Sequence, residues 1–434
     1  MPKVLLLTLL VIGLPLLFSP GVAHADEQQP PASTPAPLTL HQCIEAALGH
    51  QSDVLVGQNN VVAAKARSVQ AKAGYFPQVT VQSTKGFIAT KKSNSVDNDG
   101  TSLQLTQNIY DGGLREAKVA NAAFAKKQYD ATLIRTQQTV VDTVTKAYLE
   151  LLRAQGLADV ADQRVAYIEG QQKMIKARVE AGDAAEVDVF PIDAQLANAH
   201  VDQLTAKNTV RTSAIQLQKS MGFIPTESFA VAAVAFPEKI SVPKLEECLT
   251  IAQQQRPEIL EAKAGIDVAK SSVKVAKINM YPRPVITAQF DQLLSTNSDQ
   301  SYGINAGIVY DIFNGKSLKA AYQEATADLS SAEIRAAQTP KDINAEVQNA
   351  HVNITNAAER MKASAISVTS AKKNLAAQEE RYQQGLAIPL DLLNAQLEVT
   401  TAENSAVEAQ YDYLEALTEL HYAMGSKGEV TWEK

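Results

Sequence analysis

Past its first 25 residues the chain has no run of about 18 apolar residues, so it lacks a helix apolar enough to cross a membrane. A β-barrel survives that exclusion, because a membrane strand needs only about ten alternating residues. Cysteine is scarce, with Cys43 and Cys248 alone. In an exported protein the two could be joined, or they could be small buried side chains in equivalent helices. The histidines that follow the N-terminal segment, His41, His50, His200, His351 and His421, show no metal spacing such as two His four residues apart. Neither a glycine-rich phosphate loop nor a nucleophile elbow is present, so nothing supports an enzyme, a cofactor or a metal centre. There is no basic stripe, and the formal charge of −7 argues against a nucleic-acid partner.

The N-terminus carries an export signature. Lys3 supplies a positive start, Val4 to Phe18 is apolar, and Ala23-His24-Ala25 has the small-x-small pattern of a cleavage site. The apolar stretch is shorter than the roughly 20 residues of a membrane span. Residues 1–25 are therefore expected to be a signal peptide, with Asp26 as the first mature residue and a mature charge of −8. No cysteine follows the cleavage site to take a lipid. Prolines and polar residues from Gln28 to Pro37 predict a flexible N-terminus over 26–38.

Internal repetition is the strongest signal. Leu40-His41-Gln42-Cys43-Ile44 aligns with Leu245-Glu246-Glu247-Cys248-Leu249 at a shift of 205, held to Pro77 and Pro282. Ile109-Tyr110-Asp111-Gly112 then meets Ile312-Phe313-Asn314-Gly315 at a shift of 203. The same shift pairs Arg178 with Arg381, Gly182 with Gly385, Asp188 with Asp391 and Met221-Gly222 with Met424-Gly425. The organisation expected is a first repeat over 39–222, a linker over 223–244, a second repeat over 245–425 and a tail over 426–434.

Each copy reads as a short helix, a second helix stopped at Pro77 or Pro282, two extended segments and a long helical hairpin. The extended segments are Gln78 to Thr90 and Thr101 to Tyr110, then Val285 to Leu294 and Tyr302 to Phe313. Lys91 to Gly100 reads as a loop from its Ser, Asn, Asp and Gly content. Ile304, Ala306, Ile308, Tyr310 and Ile312 alternate as in a strand with one apolar face, whereas Gln107 breaks the matching series in the first copy. From Leu114 to about Val179 there is no proline, and apolar or small residues recur at spacings of three and four. That is a coiled-coil seam, and about 66 residues at 1.5 Å each make a rod of roughly 100 Å. Pro340 interrupts the second copy's counterpart and predicts a kink or joint.

Four strands cannot close a barrel, and open edges are not tolerated in lipid. Three chains would supply twelve strands, within the range of closed membrane barrels. The fold class expected is mainly α, with duplicated long antiparallel hairpins forming an α-barrel. Four strands per chain would contribute to a trimeric transmembrane β-barrel.

On these features the chain resembles the TolC-type outer-membrane efflux proteins. The residues carrying the resemblance are the duplicated halves, Tyr75-Phe76-Pro77-Gln78-Val79 entering a strand and Ile109-Tyr110-Asp111-Gly112-Gly113 leaving one. Arg178 to Asp188 and Arg381 to Asp391 add two matching tip turns. The resemblance implies a homotrimer in the outer membrane of a Gram-negative bacterium, reaching into the periplasm. It also implies a periplasmic adaptor and an inner-membrane pump as partners in tripartite efflux or type I secretion. By the same resemblance Asp188 and Tyr382 match gate residues, and Asp391 matches an aspartate of the entrance ring. Two positions depart from the pattern: Ala387 replaces the gate arginine and Asn394 the second ring aspartate.

Both aspartates could equally cap the return helices. Arg178, Gly182, Arg381 and Gly385 could dock the adaptor or only build the turns. Tyr75, Phe76, Tyr110, Tyr281 and Phe313 fall at strand ends, suited to an interfacial belt or to packing on the helices. The competing architecture is a soluble coiled-coil protein of the periplasm. Sarkosyl fractionation separates the two: the duct is recovered in the insoluble outer-membrane fraction, and a wholly soluble periplasmic protein would exclude it.

Overall fold

The computed structural model describes residues 37–85, 87–90, 93–97, 100–182, 184–225, 229–236, 241–293 and 300–426. The expected signal peptide and C-terminal tail beyond residue 426 lie outside the described residues, as does most of the N-terminal segment.

Helix α1 (Leu40–His50) starts on a reciprocal cap: the Gln42 amide donates to Thr39 Oγ1, and the Thr39 amide donates to Gln42 Oε1. Gln51 ends it in an extended conformation and starts α2 (Ser52–Ala73). Pro77 then releases the chain into β1 (Gln78–Thr84), which pairs antiparallel with β4 (Gly100–Tyr110). Between them β2 (Phe87–Thr90) and β3 (Ser93–Asp97) make a separate two-stranded hairpin. The segment Lys91 to Gly100 is therefore not all loop. Local pairing of Phe87 with Asp97 and Ile88 with Val96 overrides a composition that reads as turn.

The second copy runs α5 (Leu245–Gln255), α6 (Pro257–Met280), β5 (Arg283–Leu293) and β6 (Gln300–Val309). Pro257 occupies the first turn of α6, where its missing N–H costs nothing. Strand β6 stops at Val309 rather than running to Phe313, because Val309 pairs with Arg283, the first residue of β5. The sheet order is β1-β4-β5-β6, all antiparallel, which leaves β1 and β6 as free edges within the chain.

Register sorts the side chains onto two faces. Val79 and Val81 lie opposite Leu105 and Leu103, Leu105 opposite Phe290, Phe290 opposite Tyr302, and Ala288 opposite Ile304. The other face carries Thr80, Gln104, Asp291 and Ser301 in one row and Thr106, Gln289 and Gly303 in the next. One side of the sheet is thus suited to lipid and the other to water. Strands β4, β5 and β6, of 11, 11 and 10 residues, match the roughly 9–11 needed to span a bilayer. Gln107, which breaks the apolar series, sits at the foot of β4 and donates to the Tyr75 carbonyl at 3.2 Å.

Below the sheet stand α3 (Leu114–Glu180) and α7 (Ser317–Gln383), each of 67 residues, about 100 Å long. Pro340 does not interrupt α7, which is assigned as helix throughout. The return helices are α4 (Val189–Ser220) and α8 (Pro389–Ala423). Near the sheet α2 packs on α3, α3 on α6 and α6 on α7; farther down α4 packs on α3, α3 on α8 and α8 on α7. The helix order repeats the strand order, since α2 enters β1, β4 enters α3, α6 enters β5 and β6 enters α7.

The return helices meet the short ones end to end. Gly222, at φ +84°, sits where an added Cβ would lie 2.8 Å from the His50 carbonyl oxygen. Gly425, at φ +80°, sits where one would lie 3.0 Å from the Arg256 amide nitrogen. Each glycine supplies both a left-handed helix end and the space for the next helix to approach. Arg256 straps the second joint: Nη1 donates to the Tyr422 and Ala423 carbonyls that end α8, and Nη2 pairs with Glu258 and Glu346 at 2.8 and 2.7 Å.

The main core lies at the level of these joints. Val144, Tyr148, Leu151, Ile343, Ile354, Tyr413 and Leu420 are buried there with Cys43 and Cys248, both thiols enclosed. Described parts of the inter-repeat segment, Phe229 to Phe236 and Val242, pack on this core: Tyr148 donates to the Ala232 carbonyl at 2.6 Å, and His351 Nε2 lies 2.9 Å from the Pro243 carbonyl.

Gly222→Ala is expected to cost more than the roughly 1 kcal/mol of a left-handed alanine, because backbone must also move. Gly182→Ala, with open space around it, should cost only the conformational part. Thermal melting should give a lower midpoint for Gly222→Ala; equal midpoints would remove the close-approach role.

Candidate functional site at the hairpin tips

Far from the strands, each coiled-coil pair turns back on itself. Helix α7 ends with the Gly385 amide bonded to the Tyr382 carbonyl and the Leu386 amide to the Arg381 carbonyl, a six-to-one closure around a glycine at φ +74°. In the first tip the Gly182 amide bonds likewise to the Val179 carbonyl at φ +82°. Nothing would crowd a Cβ at either glycine, so the backbone conformation alone calls for glycine. Both tip glycines therefore build turns.

The two aspartates behave differently. Asp391 Oδ2 accepts the Ile388 amide at 3.1 Å and caps α8, while the residue stays exposed. Asp188 ends the short 3₁₀ turn Glu186–Asp188, half-buried, and its side chain makes no cap bond. Among the described residues no side-chain hydrogen bond or ion pair forms at Asp188, to Tyr382 or to any other residue. Asn394 is exposed, and exposed Arg381 reaches only Gln378 Oε1 at 3.4 Å.

What the fold does bring together is Arg178 and Tyr382. The guanidinium carbon lies 5.1 Å from the centre of the Tyr382 ring, and that ring is buried. The contact joins α3 of the first hairpin to α7 of the second. Further from the tip, the Tyr167 hydroxyl donates to Glu379 Oε1 at 2.9 Å. Burial, then the Glu379 carboxylate, push the Tyr167 hydroxyl well above its ordinary value, so it stays a donor. Leu393 of α8 completes the seam by joining Val165, Ile168 and Ile175 of α3 and Ile192 of α4 in one buried cluster. Sequence reasoning placed Arg178 and Tyr382 in separate roles and passed over Tyr167, Glu379 and Leu393. The available signal was the internal alignment, in which Tyr382 stands where the first copy has Val179.

At the other end, Tyr75, Phe76, Tyr110, Tyr281 and Phe313 are all exposed where strands meet helices. Tyr75 is covered on one face by Arg115, 4.1 Å from its ring centre, whose Nη1 also donates to the Asn108 carbonyl at 2.8 Å. Among the described residues no group of His, Cys, Asp and Glu could hold a metal ion.

A sheet with one apolar face and two free edges, carried on a helical ribbon of the same order, defines a membrane-channel subunit. The chain belongs to the outer membrane efflux protein family, whose model matches residues 43–223 and again 248–426. It is 24% identical to the outer membrane protein TolC of Vibrio cholerae over 83% of this chain and 84% of that protein. It is 25% identical to the protein CyaE of Bordetella pertussis over 87% of this chain and 82% of that protein. The fold matches the outer membrane protein VceC of Vibrio cholerae with a TM-score of 0.76, at 18% identity, over 90% of this chain and 97% of that one. The open state of the Neisseria gonorrhoeae channel MtrE matches with a TM-score of 0.75, at 18% identity, over 90% of this chain and 89% of that one. The protein is thus an outer-membrane efflux or secretion channel subunit.

Arg178→Ala and Tyr382→Ala should each speed hydrogen exchange at the end of α3. Their effects should overlap by about 0.5–1 kcal/mol in a double-mutant cycle. Strictly additive effects would mean the stacked pair contributes no coupling.

Proposed function

We propose that three copies close into one duct, whose twelve strands cross the outer membrane and whose helices extend through the periplasm. The supporting observation is the coincidence of edges. The ribbon ends in β1, α2 and α4 on one side and in β6 and α7 on the other. Both sides expose large apolar residues: Val62, Val69, Val201 and Leu204 on one, Ile334, Val352 and Ile366 on the other. Pairing β1 with the β6 of a neighbour satisfies the edge backbone and covers both apolar margins in the same step. The polar face of the sheet then lines the pore. Cargo is conducted through it without chemistry, and neither enzyme activity nor a cofactor enters the scheme.

In this reading the tips form the periplasmic entrance, with Asp188, Tyr382, Asp391 and Asn394 around it. The gate is held by Arg178 on Tyr382 and by Tyr167 on Glu379, in place of a clamp that Ala387 cannot make. Asp391 serves twice, one carboxylate oxygen capping α8 and the charge attracting cations to the mouth. The turns at Gly182 and Gly385, with Arg381 nearby, present Val187, Leu386, Ile388 and Leu390 to solvent. That apolar surface suits the tip of a periplasmic adaptor, which would connect the duct to an inner-membrane pump. Phe76, Tyr110, Tyr281 and Phe313, with Tyr75, would mark the periplasmic interface of the membrane.

Planar-bilayer recording tests the entrance. Asp391→Asn keeps an acceptor for the Ile388 amide and removes the charge, so cation selectivity should fall while stability is retained. Asp391→Ala should also lose about 1 kcal/mol from the missing cap. Unchanged selectivity in both variants would remove the ring. The particle mass in detergent should be that of three chains; a monodisperse monomer would contradict the duct.

A further inference from the structure

The internal repeat predicts contacts that a single chain cannot show. Within the chain, the second hairpin docks on the first through Leu393, which is 2% exposed in the seam of α3 and α4. The 203-residue shift that pairs Asp391 with Asp188 makes Phe190 the counterpart of Leu393. Phe190 is 62% exposed, a large aromatic knob on α4 with no seam to enter in its own chain.

The corresponding seam on the second hairpin carries smaller side chains on α7. Ile168 and Tyr167 of the first seam are replaced by Ala371 and Ser370 of α7. Together with Asn374 of α7 and Leu397, Thr401 and Ala402 of α8, these residues line a groove of about 850 Å³, where Asn374 donates to Glu398 Oε2 at 2.9 Å from one helix to the other. Val368 and Leu375, at coiled-coil positions of α7, are only half-buried, whereas Val165 and Ile168 of α3 are buried. The larger knob is thus matched by a larger hole. Going from one seam to the other, leucine becomes phenylalanine where isoleucine and tyrosine become alanine and serine.

We infer that Phe190 of each chain inserts into the α7/α8 groove of the neighbouring copy, repeating between chains the seat that Leu393 takes within one. The inference rests on the trimeric duct proposed above, in which hairpins of the two kinds alternate around the ring. It also makes the two kinds of seam unequal. The seam within a chain carries the Tyr167–Glu379 hydrogen bond and the Arg178–Tyr382 stack. By the same shift, the seam between chains would set Ser370 against Lys176 and Arg381 against Val179, which supply neither a tyrosine–carboxylate bond nor a ring to stack on. Phe190 is then the main contact holding neighbouring tips together, and its seam is the one that parts first when the entrance widens.

The test is cross-linking of the detergent-solubilised full chain with a short bis-maleimide. Phe190→Cys combined with Ala371→Cys should give covalent dimers and trimers on a denaturing gel, and so should Phe190→Cys with Thr401→Cys, which is exposed in the same groove. Each single variant should stay monomeric, since Cys43 and Cys248 are buried. Two seam partners guard against one substitution disturbing the hairpin. A protein of trimeric mass that yields no inter-chain product with either pair, or only a product within one chain, overturns the Phe190 contact and leaves the duct standing. A monomeric mass overturns both.

Discussion

Backbone hydrogen bonding at the margins of the sheet is the constraint on which the rest of the molecule depends. Strands β1 and β6 each offer a row of donors and acceptors that hydrocarbon cannot satisfy, and four strands are too few to curl into a closed wall. In the proposed duct the two edges serve each other across copies. Because every strand of the four-stranded sheet is joined directly to a helix and the helix order copies the strand order, the step that would seal that barrel would also seal the helical wall beneath it. Membrane pore and periplasmic tunnel are therefore one assembly problem with one solution.

Continuity of the wall brings a second requirement. A ribbon about 100 Å tall needs four helices across at every height, and only α3 and α7 run the full length. The other two columns are composite, α4 meeting α2 and α8 meeting α6. Helix ends carry unsatisfied carbonyls, and the two joints answer that in different ways. The Gly222 joint closes by a tight backbone approach to His50, whereas Arg256 reaches into the second joint and takes the last carbonyls of α8. The copies are equivalent in outline, yet residue differences make the second joint more strongly tied. A similar inequality appears at the tips, where Tyr382 gives Arg178 a ring to stack on and Val179 gives Arg381 none.

Much of this architecture is written in local pattern. Helix α3 is legible from Leu114 onward because proline is absent and the apolar spacing is continuous. The strand around Ile304 is legible because its residues alternate. The repeat gives the pairing of parts without any structural knowledge. What stays hidden is what depends on partners distant in sequence. Strand β3 hides in a composition typical of turns, since only pairing with β2 makes it a strand. The end of β6 at Val309 is set by where β5 begins, not by the alternation that continues to Ile312. At the tips, Asp188 and Asp391 look interchangeable in sequence. Only the fold shows that Asp391 reaches back to the Ile388 amide and that Asp188 makes no such bond. Leu393 was invisible as a contact because its neighbours lie on α3 and α4, some two hundred residues earlier.

Hydrogen–deuterium exchange on the assembled protein in detergent addresses the edge constraint most directly. If neighbouring copies complete one another's sheets, the amides of β1 and β6 will be as well protected as those of β4 and β5. Rapid exchange along β1 and β6, with protection confined to the two inner strands, would mean that the edges remain unpaired and that the chains do not close a barrel.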